Sequence, residues 1–201
     1  MLTFYTNPMS RGRMVRWMLE ELGEPYETVA LNYGPDMNTP EYLALNPMGK
    51  VPTVVHDGRV VTEVAAICTY LAEAFPEKGL MAEDRAAFYR WMFFAAGPLE
   101  AAVVNNSFGW KPPQRRDEGR LGYGNLDRVV RTLAGHLETH DYVADGRFTA
   151  ADVYIGGHVG WGLQFGTLPA EPAFRAYAAR LQDRPAAQSA NALDDALAGA
   201  R

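Results

Sequence analysis

The 201-residue chain carries three serines, Ser10, Ser107 and Ser189, and none sits in a GxSxG elbow, which argues against an ordinary serine hydrolase. Ser10 is the one placed for chemistry. It follows a strand-like run, Leu2 to Thr6, and the breaker Asn7-Pro8, and it immediately precedes a helical period. A hydroxyl donor and a helix N-terminus acting on one anion together supply a few kcal/mol. The same position suits an N-cap, the commonest work of serine there. The two roles are compatible, because the oxygen can accept from the backbone while its hydrogen points elsewhere. Arg11, next in sequence, adds positive potential at that helix start. Cys68 is the only cysteine, so there is no intrachain disulfide, CxxC pair or cysteine-rich zinc site; it reads as a small buried hydrophobe. His136 and His140 stand four apart on a helix, a spacing that can present two metal ligands. No HExxH or further ligand cluster accompanies them, so a solvated face is expected and no metal. The reactive group of any chemistry here is expected to arrive with a ligand.

The elements that must position these residues fall into two halves. Leu2 to Thr6 reads as a strand, and Met14, Val15, Met18, Leu19 and Leu22 mark one face of a helix stopped at Gly23. Tyr26 to Leu31 reads as a second strand, followed by a short helical piece around Tyr42 to Leu45. Val51 to His56 and Arg59 to Thr62 flank Asp57-Gly58, a hairpin-turn dipeptide. A third helix carries Ile67, Tyr70, Leu71 and Ala74 and ends at Phe75-Pro76. This βαβ-then-ββα order predicts a four-stranded mixed sheet with flanking helices.

Beyond that point the periods are helical. Glu83 to Asn106 forms one segment with a kink at Gly97-Pro98. Leu126, Val129, Val130, Leu133 and Leu137 mark another helix. Thr149 and Asp152 read as an N-cap and a first-turn acid with a purely structural role. Phe174, Tyr177 and Leu181 mark a last helix, and the Ala-rich tail is expected to be weakly ordered. The expected architecture is an α/β domain, residues 1–76, a linker at 77–82, and an all-α domain, residues 83–201.

The chain has 19 basic and 24 acidic residues, a formal charge of −5, and so no electrostatic footprint for nucleic acid. No apolar stretch approaches the ~20 residues of a membrane span. The start, Met-Leu-Thr-Phe-Tyr-Thr, lacks the layout of a signal peptide, so the expected location is cytoplasmic.

Several stretches in fixed order resemble the glutathione transferase superfamily: Thr3 to Arg11 running into Val15 to Gly23, Asn46-Pro47-Met48-Gly49-Lys50-Val51-Pro52, Thr62-Glu63 opening a helix, and Phe148 to Val153. The resemblance spans nearly the whole chain. It implies a thioredoxin-like first domain, a helical-bundle second domain, a homodimer, and glutathione as cosubstrate. It implies a serine- or cysteine-type site, because Asn7 stands where tyrosine-type members carry their tyrosine, with Ser10 stabilising the thiolate, aided by Arg11, and Tyr5 as a lesser candidate donor. A thiol of pKa ~8.5 lowered by about two units needs roughly 2.7 kcal/mol of preference for the anion.

The resemblance also makes Val51-Pro52 a cis peptide whose Val51 backbone pairs with the cysteinyl unit. It places Lys50 near the glycyl carboxylate and Glu63 on the γ-glutamyl ammonium. Val64 departs from the pattern, which has a serine or threonine there for the γ-glutamyl carboxylate. The backbone N–H groups of Val64 and Ala65 remain as an anion site, and one charged hydrogen bond, about 1.5–3 kcal/mol, is missing. Weak glutathione affinity is the expectation. Met9, Phe108, Trp110 and Tyr123 are candidate walls of an inter-domain pocket for a small hydrophobic electrophile, and each suits core or interface equally well. The expected activity is transfer of glutathione to that electrophile. Glutathione-dependent disulfide or peroxide reduction, isomerisation, and a noncatalytic binding or assembly module on the same fold remain alternatives.

Overall fold

The computed structural model describes residues 1–199. Its internal contacts divide the chain into two compact units: residues 1–79 together with the segment from Asp183 onward, and Leu80–Gln182.

The first unit is built on four strands, β1 (Leu2–Thr6), β2 (Tyr26–Ala30), β3 (Thr53–His56) and β4 (Arg59–Thr62), in the order β2-β1-β3-β4. β1 runs parallel to β2 and antiparallel to β3, and β3 antiparallel to β4, the mixed sheet that the element order predicts. The β3–β4 turn has positive φ at both Asp57 (48°) and Gly58 (79°), the signature of a type I′ hairpin. Leu2, Phe4 and Thr6 point to a buried face on the side of helix α1 (Gly12–Leu22), and helix α3 (Val64–Ala74) packs against α1 and β4. All five apolar positions expected on α1 are buried, and the helix stops at Gly23, whose N–H donates to the Leu19 carbonyl from the left-handed region. The short α2 (Pro40–Leu45) is capped by the Thr39 hydroxyl.

The second unit is helical: α4 (Arg85–Phe94), α5 (Glu100–Ser107), α6 (Leu126–Leu137), α7 (Ala150–Phe165) and α8 (Pro172–Gln182). The kink expected at Gly97-Pro98 is a π turn, Ala95–Leu99, between α4 and α5. Proline has no N–H to give and crowds the carbonyl four residues back, so the wider turn accommodates it.

Two expectations differ from the structure. The Ala-rich tail is an ordered helix, α9 (Pro185–Gly199), and it belongs to the first unit rather than the second. Its inward face is small, Ala187 and Ala190, and what fastens it to α1 is polar. Arg16 Nε donates to Asp194 Oδ1 at 2.8 Å in a buried pair, and Arg184 grips the Glu21 carboxylate with two bonds of 2.6 and 2.7 Å. Hydrophobic periodicity could not register that kind of attachment. Likewise the segment expected as a linker is partly docked. Leu80, Met81 and Ala82 are buried, and the Leu80 carbonyl accepts from Ala150 N–H at the start of α7.

Candidate functional site

The strand register brings three separated stretches together. Tyr5 lies opposite Thr53, and Thr53 opposite Thr62. The end of β1, the start of β3 and the end of β4 therefore share one edge of the sheet, with neighbours about 4.8 Å apart. Ser10, Val51-Pro52 and Glu63 all emerge at that edge.

At the first corner Asn7 organises the turn. It is buried, its Nδ2 donates to the Leu31 carbonyl at 2.7 Å, and its Oδ1 accepts from Met9 N–H at 2.9 Å. The Asn7 carbonyl accepts from Ser10 N–H at 3.0 Å and from the Ser10 hydroxyl at 2.7 Å. The hydroxyl oxygen in turn accepts from Gly12 N–H at 3.0 Å. A carbonyl cannot donate, so the single hydroxyl hydrogen lies on the Asn7 side. Accepting the N–H two residues on is the bond that an N-cap serine makes, so the Ser10 oxygen caps the start of the helix while its hydrogen is held by Asn7. The chain enters α1 through Arg11, already helical at φ −60° and ψ −5°, whose own side chain makes no cap. A Cβ on Gly12 would stand 2.0 Å from Thr6 Oγ1, so the first turn of α1 admits only glycine.

At the second corner the Val51-Pro52 bond is cis, as expected. Pairing in β3 begins only at Thr53, which leaves Val51 outside the strand register. The segment is clamped from both sides. The Lys50 carbonyl accepts from the Tyr42 hydroxyl at 2.5 Å and from Asn46 Nδ2 at 2.7 Å, and Tyr42 Oη also meets Thr53 Oγ1 at 2.9 Å. Burial raises the Tyr42 pKa, so the clamp stays neutral and hydrogen-bonded. The Lys50 side chain is exposed. Periodicity hid this clamp, because Tyr42, a buried position on a short helix, looks like core until its hydroxyl is traced.

At the third corner Glu63 holds φ +67° and ψ 122°, and its carbonyl accepts the first bond of α3 from Ile67 N–H at 2.8 Å. A left-handed non-glycine residue costs of order 1–3 kcal/mol and marks a position its surroundings impose. The side chain is exposed and makes no capping bond, so the first N–H groups of α3 have no side-chain acceptor. Val64 is buried, and only its backbone is on offer at that helix start.

Residues 9–74 match the family model described as the N-terminal domain of glutathione S-transferase. Glutathione S-transferase 1 of Dianthus caryophyllus is 30% identical over 163 residues, covering 75% of this chain and 73% of its own. The chain belongs to the glutathione S-transferase family. A second family member, from Xanthomonas campestris, is 30% identical over 151 residues, 71% of this chain and 73% of the relative. Among solved structures, a sphingomonad glutathione S-transferase complexed with glutathione superposes with TM-score 0.75 at 26% identity, over 96% of this chain and 98% of that one.

Of the further residues considered for this family member, Met9 is 74% exposed and Phe108 82% exposed. Trp110 and Tyr123 line a cavity of about 480 Å³ inside the helical unit, with Lys111 and Arg115 on its wall. His136 is not on a solvated face: it packs on Trp91 at 4.5 Å between ring centroids, and its Nε2 meets the Val143 carbonyl at 2.9 Å. Cys68 is fully buried, and burial pushes its thiol up to about 12. Thr149 and Asp152 close a capping box on α7, the structural role expected of them. No helix among the described residues is long and apolar enough to cross a membrane.

Proposed function

We propose that this family member binds glutathione along the strand-end edge and activates its thiol for attack on a small hydrophobic electrophile. The observation that carries the reading is the Tyr5–Thr53–Thr62 row. Three strand ends span two inter-strand spacings, about 10 Å, and an extended tripeptide has about that reach. In this reading Val51, flanked by Pro52, pairs its backbone with the cysteinyl unit. Glu63 takes the γ-glutamyl ammonium, the N–H groups of Val64 and Ala65 take the carboxylate, and Lys50 reaches the glycyl carboxylate. Glutathione supplies the sulfur nucleophile. Ser10 and the α1 start, with Arg11, stabilise the thiolate once the hydroxyl turns from Asn7 toward it.

Val64 removes a side-chain donor from that set, which supports weak binding. Titration calorimetry with glutathione, followed by thiolate absorbance against pH, tests the reading. Binding with a depressed thiol pKa is expected. Absence of binding would overturn the reading altogether, and binding with an unshifted thiol would leave a noncatalytic module. That second reading draws support from Val64 and from the hydroxyl hydrogen already held by Asn7. The homodimer implied by family membership belongs to the same proposal, and sedimentation equilibrium tests it.

A further inference from the structure

The face of the sheet that carries α2 holds a cavity of about 450 Å³, which adjoins the strand-end edge at Tyr5. Along β1 the residues Leu2, Phe4 and Thr6 are buried on one face, and Tyr5 stands on the other. Its ring meets that of Tyr42 with centroids 5.7 Å apart, tilted 44°. Leu31 and Leu45 supply the apolar sides, and Asp36 and Glu41 supply two carboxylates. No lysine or arginine lines the cavity. Asp36 Oδ2 accepts from the backbone and side-chain N–H groups of Asn32. Its Oδ1 and both Glu41 oxygens take no hydrogen bond or ion pair from any described residue.

The volume falls in the range of small-molecule sites, and such sites combine apolar walls with a few polar groups of fixed sign. Here the sign is negative throughout. The half-exposed Tyr5 ring adds aromatic surface to the two carboxylates, with Tyr42 buried against it. An anion is disfavoured on every side. A small hard metal cation is poorly served too, since it needs several converging oxygens and these walls are largely aromatic and aliphatic. What matches is a diffuse positive charge on an apolar body. We propose that this groove is a binding site for an organic cation, an aryl-alkyl or quaternary ammonium compound. Its apolar part rests between Tyr5, Leu31 and Leu45, and its charge faces Asp36 and Glu41. The groove shares Tyr5 and Tyr42 with the strand-end edge, but the proposal does not rest on the glutathione reading, because the charge is recognised by Asp36 and Glu41, which that reading does not use.

The test titrates the whole chain with benzyltrimethylammonium by calorimetry, with benzyl alcohol and benzoate as neutral and anionic controls. Saturable binding of the ammonium compound alone is expected, weakening as salt is raised. The double variant Asp36→Asn, Glu41→Gln should weaken it at least about fivefold, and Tyr5→Leu by about threefold to fivefold, while Tyr5→Phe should retain it. The carboxylate variants sit at a half-exposed and an exposed position, so circular dichroism melts should match the unaltered chain. Binding of benzyl alcohol as strong as that of the ammonium compound would overturn the proposal, as would unchanged binding in the double variant. Displacement by glutathione would overturn it as a separate site, and the titration with glutathione alone reports independently on the other reading.

Discussion

The Ser10 hydroxyl hydrogen points at the Asn7 carbonyl, 2.7 Å away, while Gly12 N–H occupies one face of the oxygen. One hydrogen therefore serves two possible acceptors, the carbonyl and an incoming thiolate. A neutral hydrogen bond contributes about 0.5–1.5 kcal/mol net and one to a charged group about 1.5–3. The thiolate wins that competition, but only by the difference, about 1–1.5 kcal/mol, or about one pKa unit. Ser10→Ala should accordingly raise the pKa of bound glutathione by about one unit, not two or more. Thiolate absorbance against pH measures it. A shift near zero would move the donor to Tyr5, Arg11 or the backbone.

Glu63 separates strain from charge. Its φ of +67° is a conformation that glycine adopts freely. Glu63→Gly should therefore stabilise the chain, by about 1 kcal/mol in urea unfolding, while weakening glutathione binding. Glu63→Gln keeps the strain and loses the charge, so it should weaken binding about tenfold and leave stability within about 0.5 kcal/mol. If neither variant changes the affinity, the γ-glutamyl end is bound elsewhere.

Val64 is buried at the first position of α3, so the missing hydroxyl cannot simply be restored by serine. Serine would replace one methyl by the hydroxyl and empty the space of the other in the buried contact, at a cost of about 1–2 kcal/mol. Threonine keeps one methyl and adds the donor. Val64→Thr should tighten glutathione binding about tenfold in calorimetry, with a smaller loss of melting temperature than Val64→Ser.

The sheet, its strand ends and most helices were legible because each rests on a local signal. Alternation marks β1, Asp57-Gly58 marks the hairpin, and the residues before Pro52 and after Thr62 mark the strand ends. What was hidden depends on polar contacts. α9 is an Ala-rich helix held by Asp194 on Arg16 and by Arg184 on Glu21, pairs separated by more than 160 residues. The Tyr42 clamp and the direction of the Ser10 hydroxyl are local contacts, 3 to 11 residues apart, but they too are polar and leave no mark on periodicity. Hydrophobic pattern carries no information on which acceptor a hydroxyl chooses.

Asp152 ties the second unit together and does so with an unusual pH sign. Its Oδ1 accepts from Val143 N–H at 2.9 Å and from the Tyr177 hydroxyl at 2.8 Å, and its Oδ2 accepts from Thr149 N–H at 2.9 Å. Burial nevertheless pushes the carboxyl up to about 6, against the pull of those donors. With the folded pKa above the unfolded value of 3.8, the folded chain binds the extra proton between the two. The stability this residue contributes is then fully present below about pH 4 and declines as pH rises through about 6. Asp152→Asn should flatten that part of the pH profile of the urea midpoint. It should also cost about 2–4 kcal/mol at pH 7, since an amide NH₂ would face one of the donors.

Thr6 and Gly12 make the sharpest steric prediction. The Thr6 hydroxyl is fully buried with no hydrogen-bond partner, and it fills the space where a Cβ on residue 12 would go, 2.0 Å away. Gly12→Ala must displace either β1 or the first turn of α1, and overpacking of that kind costs about 1–3 kcal/mol or more. Because that turn includes Gly12 N–H, the donor to Ser10, the substitution should also disturb the thiol site. Thr6→Val keeps the shape and removes a polar atom that pairs with nothing, so it should raise stability by about 1 kcal/mol. It should leave glutathione binding unchanged. Thr6→Ala opens the contact instead and should recover part of the loss in the Gly12→Ala background. A double-mutant cycle in urea that gave strict additivity for these two neighbours would show that the contact does not govern the fold of this corner.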